Sequence, residues 1–210
     1  MATVVARRVA RPFGPDSAGT RMTPREFDHA DFVEGWRYEL LDGRLIVTPI
    51  PLETERDPNG ELGYWLRHYR DTNPQGAALL DATLFEHTVK TGKNRRRADR
   101  VIWAGLGRLP RKGETPTIIA EFVSSGRRSR ERHYVEKRDE YMAVRVKEHW
   151  IIDRFERVMT VFLRRGGKVI KLVIKENETY TTDLLPGFKV PLAALLAVAD
   201  RWPEGEYDIE

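Results

Sequence analysis

The stretch "TIIAEFVSS", residues 117–125, decides how this chain is read. Six of its residues, Ile118 to Val123, have the composition of a buried strand, with Glu121 set among apolar neighbours. Successive side chains of a strand point to opposite faces. Ile118, Ala120 and Phe122 then share one face, and Ile119, Glu121 and Val123 the other. Both faces are apolar, which predicts a central strand covered on two sides. An unpaired charge in such a place is costly, so Glu121 is expected to hold a partner, a proton or a metal.

Outward from this strand the pattern is that of one mixed α/β domain. "TPREF" (23–27) opens a helix, with Thr23 as N-cap, Pro24 at the first helical position and Glu26 completing a capping box. "WRYELLDGRLIVTP" (36–49) predicts two strands around an Asp42-Gly43 turn. Leu62, Trp65, Leu66 and Tyr69 recur at helical spacing within 61–71, and Asn73-Pro74 ends that helix. Strands are expected at 77–80, 83–89 and 99–104, and a Gly/Pro/Lys loop (105–116) leads into the strand of Glu121. A helix is expected over 129–144, strands at 148–153, 158–164 and 168–175, and a small apolar helix at 192–199. The expected organisation is a disordered arm over residues 1–20, one domain over 21–200 and an acidic tail over 201–210.

Bulk composition narrows the function classes. The 210 residues suffice for one sizeable core, and no apolar run approaches the roughly 20 residues needed to span a bilayer. The chain has no cysteine, which removes disulfides, thiolate zinc sites and a cysteine nucleophile, and fits a cytoplasmic location. The net charge is only +4, but between Lys90 and Arg138 there are 15 Lys and Arg against 5 Asp and Glu. That block contains "KNRRR" (93–97) and "GRRSRERH" (126–133), and clusters of this kind attract polyanions. Solvated loops are the plainer alternative for such runs.

Glu121 has company. Glu39 stands among Tyr38, Leu40 and Leu41, and Asp99 begins an apolar strand beside Ala98 and Val101. If these strands are neighbours, three carboxylates converge. Carboxylate oxygens suit a hard cation such as Mg²⁺, which activates water and stabilises charge on a phosphate. A lysine nearby would add a fixed positive charge. Lys137 falls on the inward face of its helix, close to Tyr134 and Tyr141, although Arg138 lies within the same arc. Structural alternatives exist for each: Glu39 pairing with Arg37 or Arg44, Asp99 with the arginines before it, and Lys137 snorkelling along its helix.

Four segments, "RYELLDGRL", "RRRADRVIW", "TIIAEFVSSGRRSRERHYVEKRDEYMAVRVKEHWIID" and "LPGFKVPLAALL", carry a resemblance to a known family. From about Met22 to Ala197 the sequence resembles the Uma-two family of "putative restriction endonucleases", within the PD-(D/E)XK nuclease superfamily. The resemblance implies a restriction-endonuclease-like mixed β-sheet flanked by helices. It implies a Mg²⁺-dependent endonuclease acting on DNA, with Mn²⁺ as a substitute. It places the metal carboxylates at Glu39, Asp99 and Glu121, and the catalytic lysine at Lys137 on the helix, where Val123 takes the place of the parent motif's lysine. Departures from the family pattern are Ala98 before the aspartate, Ser124-Ser125-Gly126-Arg127 after the strand, and the absence of histidine from "PIPLETERDPNG". Arg95, Arg96, Arg97, Arg127, Arg128 and Arg130 are the candidate nucleic-acid contacts. DNA is the expected partner and no membrane is expected; subunit number stays open, a homodimer included. Two other classes compete: a catalytically silent nuclease fold that only binds nucleic acid, and an interaction module for an acidic protein.

Overall fold

Strand β5 (Ile118–Phe122) lies in the middle of an eight-stranded sheet in the computed structural model, which describes residues 11–125 and 132–202. All five of its residues are buried. The alternation read from the sequence holds. Ile118, Ala120 and Phe122 join one apolar cluster, while Ile119 and Val123 join a second on the opposite face.

The other strands are β1 (Trp36–Leu41), β2 (Arg44–Pro49), β3 (Leu80–Thr91), β4 (Asn94–Ala104), β6 (Glu148–Asp153), β7 (Val158–Arg165) and β8 (Lys168–Lys175). They run in the order β2-β1-β4-β5-β6-β7-β8, with β3 also paired to β4. Only β5 and β6 are parallel. A parallel pair needs a crossover. Here it passes through a π-helical turn (Arg132–Lys137) that runs into helix α4 (Arg138–Ala143), packed on the second cluster through Tyr141 and Met142. Asp42 (φ 47°) and Gly43 (φ 74°) make the left-handed turn that joins β1 to β2. A separate pair, β9 (Thr179–Thr181) with β10 (Lys189–Pro191), lies outside the main sheet.

Helix α1 (Pro24–Asp28) has the capping box expected of Thr23 and Glu26. Helix α2 (Glu53–Thr72) and helix α5 (Leu192–Ala199) cover the first cluster, with Leu62, Leu66, Leu195 and Leu196 fully or almost fully buried. A third cluster, Met22, Phe27, Tyr38, Leu40 and Leu45, belongs to α1 and the first hairpin.

Several expectations need correction. Helix α2 begins at Glu53, two turns before residue 61, and carries Pro58 within it. Residues 77–79 are not strand; they end helix α3 (Pro74–Leu79), which Asn73 caps by accepting from Gln75 N (2.9 Å). "KNRRR" is not a loop: Asn94 to Arg97 form the first part of β4, and Arg95 and Arg96 are buried. Residues 11–20 are not a free arm. Phe13 bridges to Phe32, Gly19 N–H donates to Leu45 O (2.8 Å), and Leu45 N–H to Thr20 O (2.8 Å). Residues 1–10 and the tail 203–210 lie outside the described residues. Among the described residues no helix is long and apolar enough to cross a membrane.

Candidate active site

The sheet's hydrogen-bond ladder is interrupted on one edge of β4. Strand β3 pairs with β4 over nearly its whole length, so β1 and β5 must share the other edge. Strand β1 touches it at one pair, Leu40 with Arg95, and β5 at Arg100 to Ile102. Between them this edge of β4 has no strand neighbour among the described residues. Backbone groups in such a place still need partners, and side chains supply them. Arg97 N–H donates to Glu39 Oε1 (2.8 Å), and Lys137 Nζ donates to Arg97 O (2.7 Å). One residue further along, Phe122 N–H donates to Asp99 Oδ2 (2.7 Å) instead of to a β4 carbonyl.

All four predicted residues therefore meet around this gap. Lys137 Nζ is 2.8 Å from Glu121 Oε2 and 3.9 Å from Glu39 Oε1. Tyr141 OH donates to the other Glu121 oxygen at 2.8 Å. Glu121, Lys137 and Tyr141 have no exposed surface. Burial pushes the Glu121 carboxyl up to about 7; Lys137 opposes the shift and the charge of Asp99 adds to it. Burial, then the charge of Glu121, raises the Tyr141 hydroxyl well above its ordinary value. The ambiguity between Lys137 and Arg138 is resolved. Arg138 is partly exposed, pairs with Asp139, and lies over the Phe162 ring at 5.4 Å.

A cavity of about 780 Å³ opens beside the gap. Of the four predicted residues only Asp99 lines it. Its floor holds three groups that the sequence did not single out as a site: Arg37, Glu55 and Glu86. Arg37 Nη2 is 2.7 Å from Asp99 Oδ1, and its Nε is 3.1 Å from Glu86 Oε2. Arg37 thus binds Asp99 and Glu86 across β4, two positions along β1 from Glu39. That i, i+2 spacing on one strand was the available signal. Glu55 was missed because its part of α2 was not read as helix. Asn59, one turn on, donates to Asp99 O (2.9 Å) and accepts from Arg100 Nε (2.7 Å). Gly63 leaves room for that arginine, since a Cβ there would lie 2.4 Å from Arg100 Nη2.

Burial, then the charge of Asp99, pushes the Glu55 carboxyl up to about 7 from its usual 4.5. A carboxyl raised on folding stabilises the fold fully below pH 4.5 and loses that contribution as pH rises through 7. Glu55→Gln is therefore expected to be more stable than the wild type at pH 8, on the order of 2 kcal/mol, and to lose the advantage at pH 4.5. Melts of both proteins in EDTA at the two pH values measure this. A stability difference that does not change with pH would mean that Glu55 ionises as an ordinary surface acid.

The arginines divide. Arg95 holds Asp28 (Nε to Oδ1, 2.7 Å), and Arg96 holds Glu140 (Nε to Oε1, 3.0 Å) and Glu136. Both are spent on buried or half-buried ion pairs. Arg97 is partly exposed, pairs with Glu86 at 3.2 Å, and lines the cavity. Arg127, Arg128 and Arg130 lie outside the described residues. Among the described residues, no three acidic or imidazole side chains are grouped closely enough to ligate one ion in this arrangement.

Comparison with known proteins agrees with the fold. A solved structure titled "Crystal structure of a putative nuclease belonging to DUF820 from Anabaena variabilis ATCC 29413" superposes with a TM-score of 0.67 at 16% identity, over 85% of this chain and 99% of that one. No curated protein matches the chain. A family model, Uma2, matches residues 24–198, which takes in both clusters flanking β5 and all four residues at the gap. The chain belongs to the Uma2 family, described as "Putative restriction endonuclease".

Proposed function

We propose that this protein is a Mg²⁺-dependent endonuclease that hydrolyses phosphodiester bonds of DNA at Asp99, Glu121 and Lys137, with Glu39 beside the lysine. The observation that carries the reading is the gap in the ladder, where side chains from β1, β4 and a helical turn replace backbone partners and meet Glu121 of β5. Side chains take over the sheet's own hydrogen bonds at three adjoining backbone groups, and membership of the Uma2 family gives the arrangement a purpose.

The donor chemistry fits a hard divalent cation. Continuing the register of Arg100 with Ala120 places Asp99 opposite Glu121. Each charge disfavours the other, which a Mg²⁺ or Mn²⁺ ion would relieve. Asp99 and Glu121 would hold it, with Glu39 the nearest further carboxylate. When bound, such an ion polarises a phosphate and lowers the pKa of a water. Lys137 keeps a positive charge at the same place, and the Arg97 carbonyl fixes the direction of its ammonium. Arg37 orients Asp99 by one bond while the Phe122 peptide holds the other oxygen. Overall, a water oxygen bonds to phosphorus, one P–O ester bond breaks, and the leaving oxygen takes a proton. Arg97, Arg127, Arg128 and Arg130 are the proposed phosphate contacts.

Purified protein is expected to nick supercoiled plasmid with Mg²⁺ or Mn²⁺ and to stop in EDTA. Asp99→Asn is expected to abolish nicking while melting close to the wild type. Lys137→Ala is expected to lose about 10²- to 10³-fold in rate, as for loss of an electrostatic stabiliser. Wild-type nicking by Asp99→Asn would remove the assignment. One observation favours a second reading, a catalytically silent nuclease fold that binds nucleic acid: Glu121 is turned to Lys137 and Tyr141 behind the cavity wall. DNA binding without nicking in either metal would select it.

A further inference from the structure

The cavity that reaches Asp99 has an exposed lining quite unlike its floor. Phe85 is 70% exposed and Trp36 39% exposed, and both line it, as does exposed Ile50. Phe85 precedes Glu86, whose φ of 49° is left-handed backbone in the middle of β3. Such backbone is strained for a residue with a side chain, and strain of this kind collects at functional sites. Leu84 and Phe85 are exposed in succession, so the strand's alternation fails just here. Two exposed cations, Arg56 and Arg67, line the same cavity. Arg56 has only a surface contact with Glu53 at 3.7 Å. Asp57, the other acid near them, is already held by Arg201 and Trp202.

We propose that this cavity takes an unpaired stretch of nucleic acid, with its bases stacked on Phe85 and Trp36 and its phosphates against Arg56 and Arg67. The proposal rests on the nuclease reading above and narrows its substrate to single strands, flaps or locally opened duplex. A base offers its ring face to an aromatic side chain only when it is out of the helical stack. At about 780 Å³ the cavity has the size of a small-ligand site. A double helix, whose major groove alone is about 12 Å wide, does not enter it. The arginines at the exposed lining supply the charge complementarity.

Fluorescence anisotropy in EDTA, with a labelled 12-nucleotide single strand and the blunt duplex of the same sequence, tests this without cleavage. The single strand is expected to bind more tightly than the duplex. Phe85→Ala and Trp36→Ala are each expected to weaken single-strand binding about 5- to 100-fold, the cost of one lost stack, and to leave duplex binding nearly unchanged. Phe85→Trp is expected to restore it. Wild-type single-strand binding by both alanine variants would overturn the proposal, as would equal loss for both substrates. A change in sedimentation from dimer to monomer on Phe85→Ala would overturn it too, since a second copy would then cover the ring. Plasmid nicking in Mn²⁺ is read separately. Nicking with no effect of the aromatic variants sinks the stacking alone, and stacking without nicking sinks the hydrolytic reading alone. Binding to neither substrate sinks both.

Discussion

Glu121→Gln is expected to lower the stability of the metal-free protein at pH 8, because breaking its buried pair with Lys137, a cost of about 3–5 kcal/mol, outweighs the relief of the burial penalty that raises the Glu121 carboxyl. The cause is Lys137, which has no exposed surface and loses its partner at 2.8 Å. Sequence alone left two signs open. Three crowded acids would gain from losing a charge, whereas an acid holding a buried cation would suffer, and the geometry selects the second. A 210-residue chain loses about 2–4 °C of melting temperature per kcal/mol, so the expected fall is on the order of 10 °C. The double variant Glu121→Gln, Lys137→Met is expected to be more stable than Glu121→Gln alone, because no buried charge is stranded. Thermal melts in EDTA measure both. A Glu121→Gln protein that melts with the wild type would mean that the glutamate carries a proton, and that the lysine is held by the Arg97 carbonyl and Glu39.

The second large effect belongs to Glu140. It accepts from Thr91, from Asn94 Nδ2 (3.0 Å) and from Arg96 Nε (3.0 Å), so it ties α4 to the β3–β4 hairpin. Arg96 is 3% exposed, and its Nη1 has no hydrogen-bond partner among the described residues. Glu140→Ala is expected to cost about 3 kcal/mol, since it leaves a buried guanidinium with Glu136, a half-exposed partner, in place of Glu140. Arg96→Met, which removes the cation itself, is expected to cost less. Neither is expected to change the slope of log DNA affinity against log salt, which falls by about 0.9 for each lost phosphate contact. A flattened slope for Arg96→Met would return that arginine to the nucleic-acid surface.

Strong local rules made much of the fold legible. The alternation of "IIAEFV" placed β5 at the centre, Asp42-Gly43 set the first hairpin, and Thr23 with Glu26 opened α1. Local rules failed where distant partners decided. Pro58-Asn59-Gly60 reads as a break, yet helix α2 runs through it because Asn59 is bound to Asp99 O and Arg100. "KNRRR" reads as a wet run, but its arginines find Glu86 across the β3–β4 hairpin and Asp28, Glu136 and Glu140 far away in the chain. Residues 77–80 form a short apolar run, which periodicity cannot assign to helix or strand. Asn73-Pro74 ends one helix and caps the next. The four residues at the gap were named from carboxylates set among apolar strand residues and from the inward helix face, with the family resemblance placing the same four; their pairing was beyond both. That Lys137 would face Glu121, and Arg37 face Asp99, depends on where β1 and β5 part from β4.

That parting is also a mechanical seam. The apolar cluster of Met22, Phe27, Tyr38, Leu40 and Leu45 lies on one side, and the two clusters flanking β5 lie on the other. Charged contacts stitch the sides together: Asp28 with Arg95, Arg37 with Asp99, and Glu39 with Lys137. Among the described strands one ladder pair, Leu40 with Arg95, joins β1 to β4, so directional side-chain contacts carry much of this junction. The buried acids and lysine lie along that line.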